Sequence, residues 1–553
     1  MAGGTFTKRG PGALNLTANN TLSGATTVEE GTLKVNGSLA SSVITVASAA
    51  RLGGSGTIGG VVVQGGATAA PGNSIGTLHV AGDITFDEGS IYEVEVNSAG
   101  DSDLIKASGA VTINGGEVKV LAETGNYADA TTYTILTADD PRTGEFASVT
   151  SNLAFLDPTL TYDPNSVYLT MTRNDTSFES TGRTRNQRDV GTGIESLGRG
   201  NALFDAILSM SQTQAQSAFD QASGEIHAST RTALLEDSRF LRDATIDRLR
   251  SAAGSVGASR ADVMAYADGA STLAPATTDR LALWTHGFGA WGAWDSCDNA
   301  AKLDRSTAGL FAGVDMAAFE HGRIGAIAGY SSSDIEAKDR RSSSTSDNYM
   351  LGVYGSTVLN EFNLRAGAAH TWHSIDTTRT VNFPGINDTL KSATDATSTQ
   401  LFAELSYPMQ VSNIGFEHFA NLAYVKVQTD GSSEQGGSSA LTSNGASTNM
   451  SFSTFGLRAA SNSINIGKFS TTLKGTLGWR HGFGDDVPET ALAFAGSDAF
   501  TIASTAIARN TAIVDAGVEF SLTEGGSISV SYGGQFGSGF SDNSIRANFN
   551  VRF

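Results

Sequence analysis

Polar and apolar residues alternate without error through the last ten residues of the chain, Ser544 to Phe553. Ile545, Ala547, Phe549, Val551 and Phe553 stand against Ser544, Arg546, Asn548, Asn550 and Arg552. Successive strand side chains point to opposite faces, so this segment predicts a strand with one apolar and one wet face. Its length matches the roughly 9 to 11 residues of a tilted strand that crosses a bilayer. An edge strand of a soluble sandwich carries the same alternation, so the decapeptide alone leaves both readings open.

The segments before it decide between them. Residues 510–522 alternate Ala512, Val514, Ala516, Val518, Phe520 and Leu522 against Asp515, Gly517, Glu519 and Ser521, and residues 400–407 set Leu401, Ala403, Leu405 and Tyr407 against Gln400, Glu404 and Ser406. From Leu281 onward, long polar connections (296–307, 336–346, 377–398, 429–450, 485–505 and 537–542) take turns with short ones near His321, Asn360, Asn413, Asn465 and Glu524. Six long and five short connections imply twelve strands with both ends on the short-turn side. Loops sorted by length in this way belong to a membrane barrel, and a sandwich has no reason to sort them. No run of 18 apolar residues occurs, so any span must be a closed barrel.

Composition narrows the rest. The net charge of −20 argues against nucleic acid as a partner, since phosphate binding needs clustered cations. One cysteine, Cys297, excludes an intramolecular disulfide and a cysteine zinc site. His370 and His373, three apart on a strand, point to opposite faces, so no metal and no cofactor is expected. The amino-terminal Met1-Ala2-Gly3-Gly4-Thr5 lacks a signal peptide, which predicts either a piece of a longer secreted protein or a misplaced start.

Residues 1–175 carry short alternating segments with glycine at the corners, such as Gly31 to Gly37 and Gly60 to Gly66, as a parallel β-helix requires. Longer strands toward residue 175 predict a cap. Gly72-Asn73-Ser74-Ile75-Gly76 and Gly54 to Gly59 mimic a nucleophile elbow and a dinucleotide loop. Each needs a helix after it, and strands follow instead. Residues 176–280 read as a helical linker whose main helix runs from Ala228 to Arg250. Leu234 and Leu241 lie on a narrow apolar stripe, and Arg239 and Arg242 belong to the surrounding balanced charge. An ordinary surface helix fits this pattern, and so does a helix inside a polar barrel lumen.

Leu283-Trp284-Thr285-His286-Gly287-Phe288-Gly289, Gly313-Val314-Asp315, Leu351-Gly352-Val353-Tyr354-Gly355, Gly478-Trp479-Arg480-His481 and the terminal Phe553 together resemble the type Va autotransporters. Ala70 to Leu78 resembles the repeat of their passengers. The resemblance implies an all-β chain: a twelve-stranded antiparallel transmembrane β-barrel over 281–553 with a lumen α-helix, preceded by a β-helical passenger fragment over 1–175. It implies a monomeric barrel in the outer membrane lipid with the passenger at the cell surface, served by periplasmic chaperones and the barrel-assembly machinery, with Phe553 in the assembly signal. Arg546, Arg552, Glu404, Asp515 and Glu519 are expected to face the lumen beside Leu234, Leu241, Arg239 and Arg242 of the helix. Secretion of the chain's own passenger is the expected function, with a surface adhesin and a surface hydrolase as alternatives. Residues 1–175 hold only His79 among the histidines, and the Ser74 elbow lacks its helix, so the chain is expected not to be an enzyme.

Overall fold

The computed structural model describes residues 3–123, 125, 127–128, 130–267, 270–318, 322–466, 469–522 and 526–551. They divide into two compact units, Met1–Thr181 with Ile194–Ala218 and Phe383–Ile386, and Gly182–Gly193 with Phe219–Asn382 and Asn387–Phe553.

The first unit is built on stacked parallel strands. One sheet orders Ala13–Leu16, Thr32–Val35, Arg51–Gly54, Thr68–Pro71, Ile91–Val96, Glu117–Ala122 and Ser148–Ser151 side by side. Its register puts Leu14, Leu33, Leu52, Ala69, Tyr92, Val118 and Val149 in one column. A second column runs Val28, Val46, Val63, Phe86 and Ile113. No single rung can bury its apolar face, so stability comes from neighbours stacking in register. Corners must turn within a few residues. Gly54 does so at φ +105°, where a Cβ would collide with the Val35 carbonyl oxygen. The stack ends in antiparallel pairing of Ala130–Ala138 and Leu156–Tyr162 on either side of Ser166–Arg173, a cap over buried Tyr133, Val167 and Leu169. Both motif mimics lie at strand corners: Gly54 ends one strand with Thr57–Val63 following, and Gly72 is followed by Thr77–Val80.

In the second unit the barrel strands are numbered β1 (Leu281–Trp294), β2 (Leu303–Ala318), β3 (Gly322–Ala337), β4 (Ser342–Leu359), β5 (Phe362–Phe383), β6 (Ile386–Val411), β7 (Ile414–Thr429), β8 (Ala446–Ser461), β9 (Phe469–Gly484), β10 (Asn510–Leu522), β11 (Gly526–Gly537) and β12 (Phe540–Val551). Each neighbours the next, and β12 returns to β1 through antiparallel pairs from Gly289 with Ile545 to Trp294 with Phe540. Leu310, Val353, Leu422 and Leu477 point outward and exposed, while Arg365, Glu404, Glu417 and Asp542 point inward and buried. Trp372, Tyr424 and Trp479 each stand ten residues beyond the start of their strand on the outer face. Phe362, Tyr407 and Phe520 mark the opposite rim, so two aromatic belts bracket an apolar band.

Polar composition misplaces several boundaries, for most of each connection expected at 336–346, 377–398 and 537–542 is strand. Residues 377–398 were expected to be a loop, yet β5 and β6 run 22 and 26 residues and leave only residues 384–385 between them. Beyond Trp372 the outward residues become Ser374, Asp376 and Thr378, because a strand that has left the membrane has no reason to stay apolar. The long connections after β7 and β9 likewise contain strands, Ser432–Ser433, Leu441–Ser443, Glu489–Phe494 and Phe500–Ala503, which form a small sheet of their own. The linker ends not in helix but in a hairpin, Val263–Ala267 with Ala270–Ala274, which pairs with β1 near Leu283. No helix among the described residues is long and apolar enough to cross a membrane.

One carboxylate of the solenoid predicts a pH dependence. Asp103, 2 % exposed, accepts hydrogen bonds from the Gly76 and Glu95 amides at 2.8 and 2.9 Å. Burial pushes its carboxyl up to about 7, against the two amides that lower it. Between about 4 and that value the folded chain keeps a proton that the unfolded chain has released, so solenoid stability falls as pH rises through this window and levels off above it. Thermal melts of the solenoid, followed by protease resistance across pH 4 to 8, should show this slope, and Asp103→Asn should flatten it.

Candidate functional site: the barrel lumen and its helix

The lumen holds a nearly continuous helix, α1 (Ile226–Asp237) and α2 (Arg239–Ala252), joined through Ser238 in helical geometry. Its sequence is charged and hydroxylated on most faces, yet nearly every side chain is buried, Arg231 and Thr232 completely. A helix that is polar all round and buried all round needs a polar container.

The wall supplies one. Near the long-connection end, Arg480 of β9 donates two hydrogen bonds of 2.8 Å to Glu236. Arg305 of β2 pairs with Asp237 and, at 2.8 Å, with Asp542 of β12, which also pairs with Arg239 at 3.0 Å. Thr230 and Thr232 reach Ser344 and Ser504. Arg231 donates to the Thr448 and Thr429 hydroxyls and to the Glu489 carbonyl. Gln400 of β6 accepts from Arg242 at 3.1 Å and donates to the Ser238 carbonyl at 3.0 Å.

Toward the short turns the pairing continues. Arg248 grips Asp315 at 2.6 and 2.7 Å, and Asp315 also binds Arg323 and the Tyr354 hydroxyl. Glu404 and Glu417 share Arg365 and Arg458, and Arg250 lies 3.5 Å from Glu417. Apolar contacts accompany the charges: Leu234, Leu241, Ile246 and Leu249 pack in one cluster with Trp284, Phe288 and Phe311 of the wall. Phe240 stacks on Phe288 at 4.6 Å, and the Arg239 guanidinium lies 4.2 Å over Phe240.

At the helix entry, Glu225 accepts from the Ala301 amide at 2.8 Å and from Arg340 at 3.0 Å. His227 meets Glu434 at 2.7 Å, and Arg379 grips the same carboxylate at 2.6 and 2.8 Å. Burial alone would raise the Glu434 carboxyl, and Arg379 with His227 overrides it and holds it well below its usual range.

Of the residues expected in the lumen, Glu404 sits between Arg365 and Arg458, and Glu519 accepts from Lys474 and the Arg260 amide. Asp515 pairs with Arg546, which also reaches Asp247 at 3.1 Å. Arg239 and Arg242 have the partners given above. Arg552 and Phe553 lie outside the described residues. Arg305, Asp315, Glu417, Arg458 and Asp542 also face the lumen, beyond those expected from the alternation. Each lies at the inward parity of its strand, which was the signal available. His373 bonds Asn348 and Ser398 inside the wall, while His370 bonds Thr399 and meets the edge of Trp372.

Residues 283–533 match the family model described as the autotransporter beta-domain, and residues 6–35 match the passenger-associated-transport-repeat. The chain belongs to the autotransporters. Its barrel is an outer-membrane translocator of type V secretion, with the passenger on the cell surface side. Two proteins of Serratia marcescens, each named extracellular serine protease, are 35 % and 34 % identical to it over 100 % of the chain and 56 % of their own length. The chain thus spans a little over half the length of these relatives. It is also similar to the translocator domain of the autotransporter NalP from Neisseria meningitidis, with 14 % identity, 59 % of this chain and 99 % of that one covered, and a TM-score of 0.43.

The relatives correct one expectation. The lone His79 and a Ser74 corner without its helix in residues 1–175 suggested a non-enzyme, yet relatives that match the whole chain are named serine proteases. Residues 1–175 cannot speak for the part of such a protein that lies outside the match, and that is where the inference failed.

The pair Arg480 and Glu236 generates a test. Arg480→Met leaves Glu236 buried without a counter-ion, which costs about 3 to 5 kcal/mol. Arg480→Met with Glu236→Leu removes both charges and should recover most of the loss. The temperature at which the folded barrel loses its fast gel migration reads both variants, and equal losses for single and double would contradict the pairing.

Proposed function

We infer that this autotransporter carries its passenger through the outer membrane and afterwards holds it there by the lumen helix. In this reading 281–553 is the barrel, 176–280 the link with the retained helix, and 1–175 the end of the passenger. The observation that carries the reading is the matched set of ion pairs between a polar helix and the barrel wall, because such a helix is stable nowhere else in a membrane. The cap region, about residues 80–175, folds first outside and templates the rungs before it, since stacked rungs bury apolar surface only on a formed neighbour. The whole protein is a surface or released serine protease, as the names of its relatives suggest, and this chain is its display and translocation portion. Periplasmic chaperones and the barrel-assembly machinery deliver the barrel as a monomer, with Phe553 in the signal that they read.

Two experiments test this. Protease added to intact cells should remove residues 1–175 while the barrel keeps its heat-modifiable migration, and deletion of 80–175 should lower surface display without preventing insertion. A passenger equally protected after that deletion would refute the templating role. Deletion of residues 226–252 should leave an inserted barrel whose conductance in planar bilayers rises several-fold over the native chain. Unchanged conductance would remove the helix from its role as plug.

A further inference from the structure

The outer face of the barrel is not uniformly bulky. Register places Leu283 of β1, Val314 of β2, Ala326 of β3, Val353 of β4 and Ala368 of β5 side by side in one outward row. The next outward row toward the long connections holds Ala312, Ala328, Leu351 and His370. Alanine at four of these positions leaves a groove of about 680 Å³ across the five strands. The row beyond it carries Leu310, Tyr330, Tyr349 and Trp372, and the row on the other side Met316 and Ile324, so larger side chains stand on both sides.

The groove has a direction. Val314 stands four residues from the short-turn end of β2, and Ala368 and His370 stand six and eight from the short-turn start of β5. It therefore climbs toward the long connections as it passes from β1 to β5. Four interstrand steps of roughly 4.8 Å give it a length of about 19 Å. With strands tilted by roughly 35 to 45°, that run rises by about 12 Å, most of one leaflet of a hydrocarbon core about 30 Å thick.

Its upper end is polar. His370 Nδ1 and the Thr399 hydroxyl of β6 are 2.8 Å apart, and Thr399 pairs in register with Lys426 of β7. Whichever of the first two donates to the other, one N–H or O–H remains to donate elsewhere. Lys426 stands twelve residues from the start of β7, two beyond Tyr424 of the aromatic belt, which is the depth of lipid head groups. It faces outward, since Val425 and Val427 on either side are buried on the lumen side. Among the described residues it forms no ion pair, and the nearest acid in its row, Asp485, lies beyond Asn449, two strands away.

We propose that the groove holds one acyl chain of an anionic phospholipid from the leaflet on the long-connection side, with its phosphate on Lys426 and on the donor left by His370 and Thr399. The chain covers the alanine floor, and the cation at head-group depth selects a lipid of net negative charge.

The test is native mass spectrometry of the full chain, released from detergent micelles doped with equal amounts of phosphatidylglycerol and phosphatidylcholine of the same acyl chains. The native barrel should retain one phosphatidylglycerol in preference to phosphatidylcholine. Lys426→Gln should lower retention of phosphatidylglycerol about tenfold, the factor that loss of a charged hydrogen bond gives. Ala326→Leu with Ala328→Leu fills the groove and should abolish retention of either lipid, while Ala516→Leu on the outward face of β10 should leave it unchanged. All of these side chains face lipid, and heat-modifiable migration reports that each variant is folded. Equal retention of the two lipids, or a preference that survives Lys426→Gln, would overturn the head-group site. Retention unaffected by the filled groove would overturn the chain site, and a dimer lost in that variant would give the face to a second copy instead.

Discussion

A backbone inside lipid has no water to bind, so every amide and carbonyl of a spanning segment must find a partner within the protein. For a chain without an apolar helix of spanning length, that leaves closure of a sheet on itself. The pairing of β12 with β1, from Ile545 and Gly289 to Phe540 and Trp294, is therefore the contact on which the second unit depends. Closure creates an inside, and the strand period of two then gives every strand an inward row that lipid never touches. Arg365, Glu404, Glu417, Arg458 and Asp542 occupy that row because the membrane permits them nowhere else.

The helix obeys the same constraint from the other side. In water its mixed surface gives little drive to fold, since short isolated helices are marginal and its apolar stripe is narrow. Within the barrel its charges meet opposite charges at fixed positions, Glu236 at Arg480, Asp237 at Arg305 and Arg248 at Asp315. Buried ion pairs add little net stability against an apolar packing of equal shape. Their effect here is on position: a slip of one turn along the axis would leave each of these charges facing the wrong partner.

Much of this was legible in the sequence, for identifiable reasons. Alternation in 510–522 and 544–551 and the polar breaks between strands carried strand number and topology, whereas the sorting of connections by length did not hold, since 384–385 and 538–539 join their strands as tightly as 360–361 and 412–413. The helix was legible as a helix, but its burial was not. A surface helix and a lumen helix share one composition, and only the wall tells them apart. The height of β5 and β6 was hidden because polar strands above the membrane look like loops. The wall partners Asp315 and Asp542 were missed although their parity gave them away, since each belongs to a strand whose alternation is blurred by glycine or serine. What lies outside the chain was not legible at all, and the protease relatives show how far absence in 1–175 misled.

The lumen charges are arranged in layers, and the layers bear on how the barrel forms. Near the short turns the wall is paired with itself: Arg365 and Arg458 hold Glu404 and Glu417, Arg323 holds Asp315, and Lys474 holds Glu519. These pairs remain whether or not the helix is present. Farther along β9, eleven residues from its start, Arg480 has among the described residues only Glu236 of the helix as a counter-ion. A barrel without its helix thus keeps one layer satisfied and leaves the other with an exposed cation that water entering the open lumen can solvate. Closure of the wall therefore does not wait for the helix. Seating the helix expels that water, and only then do Glu236 and Arg480 become partners that neither can do without.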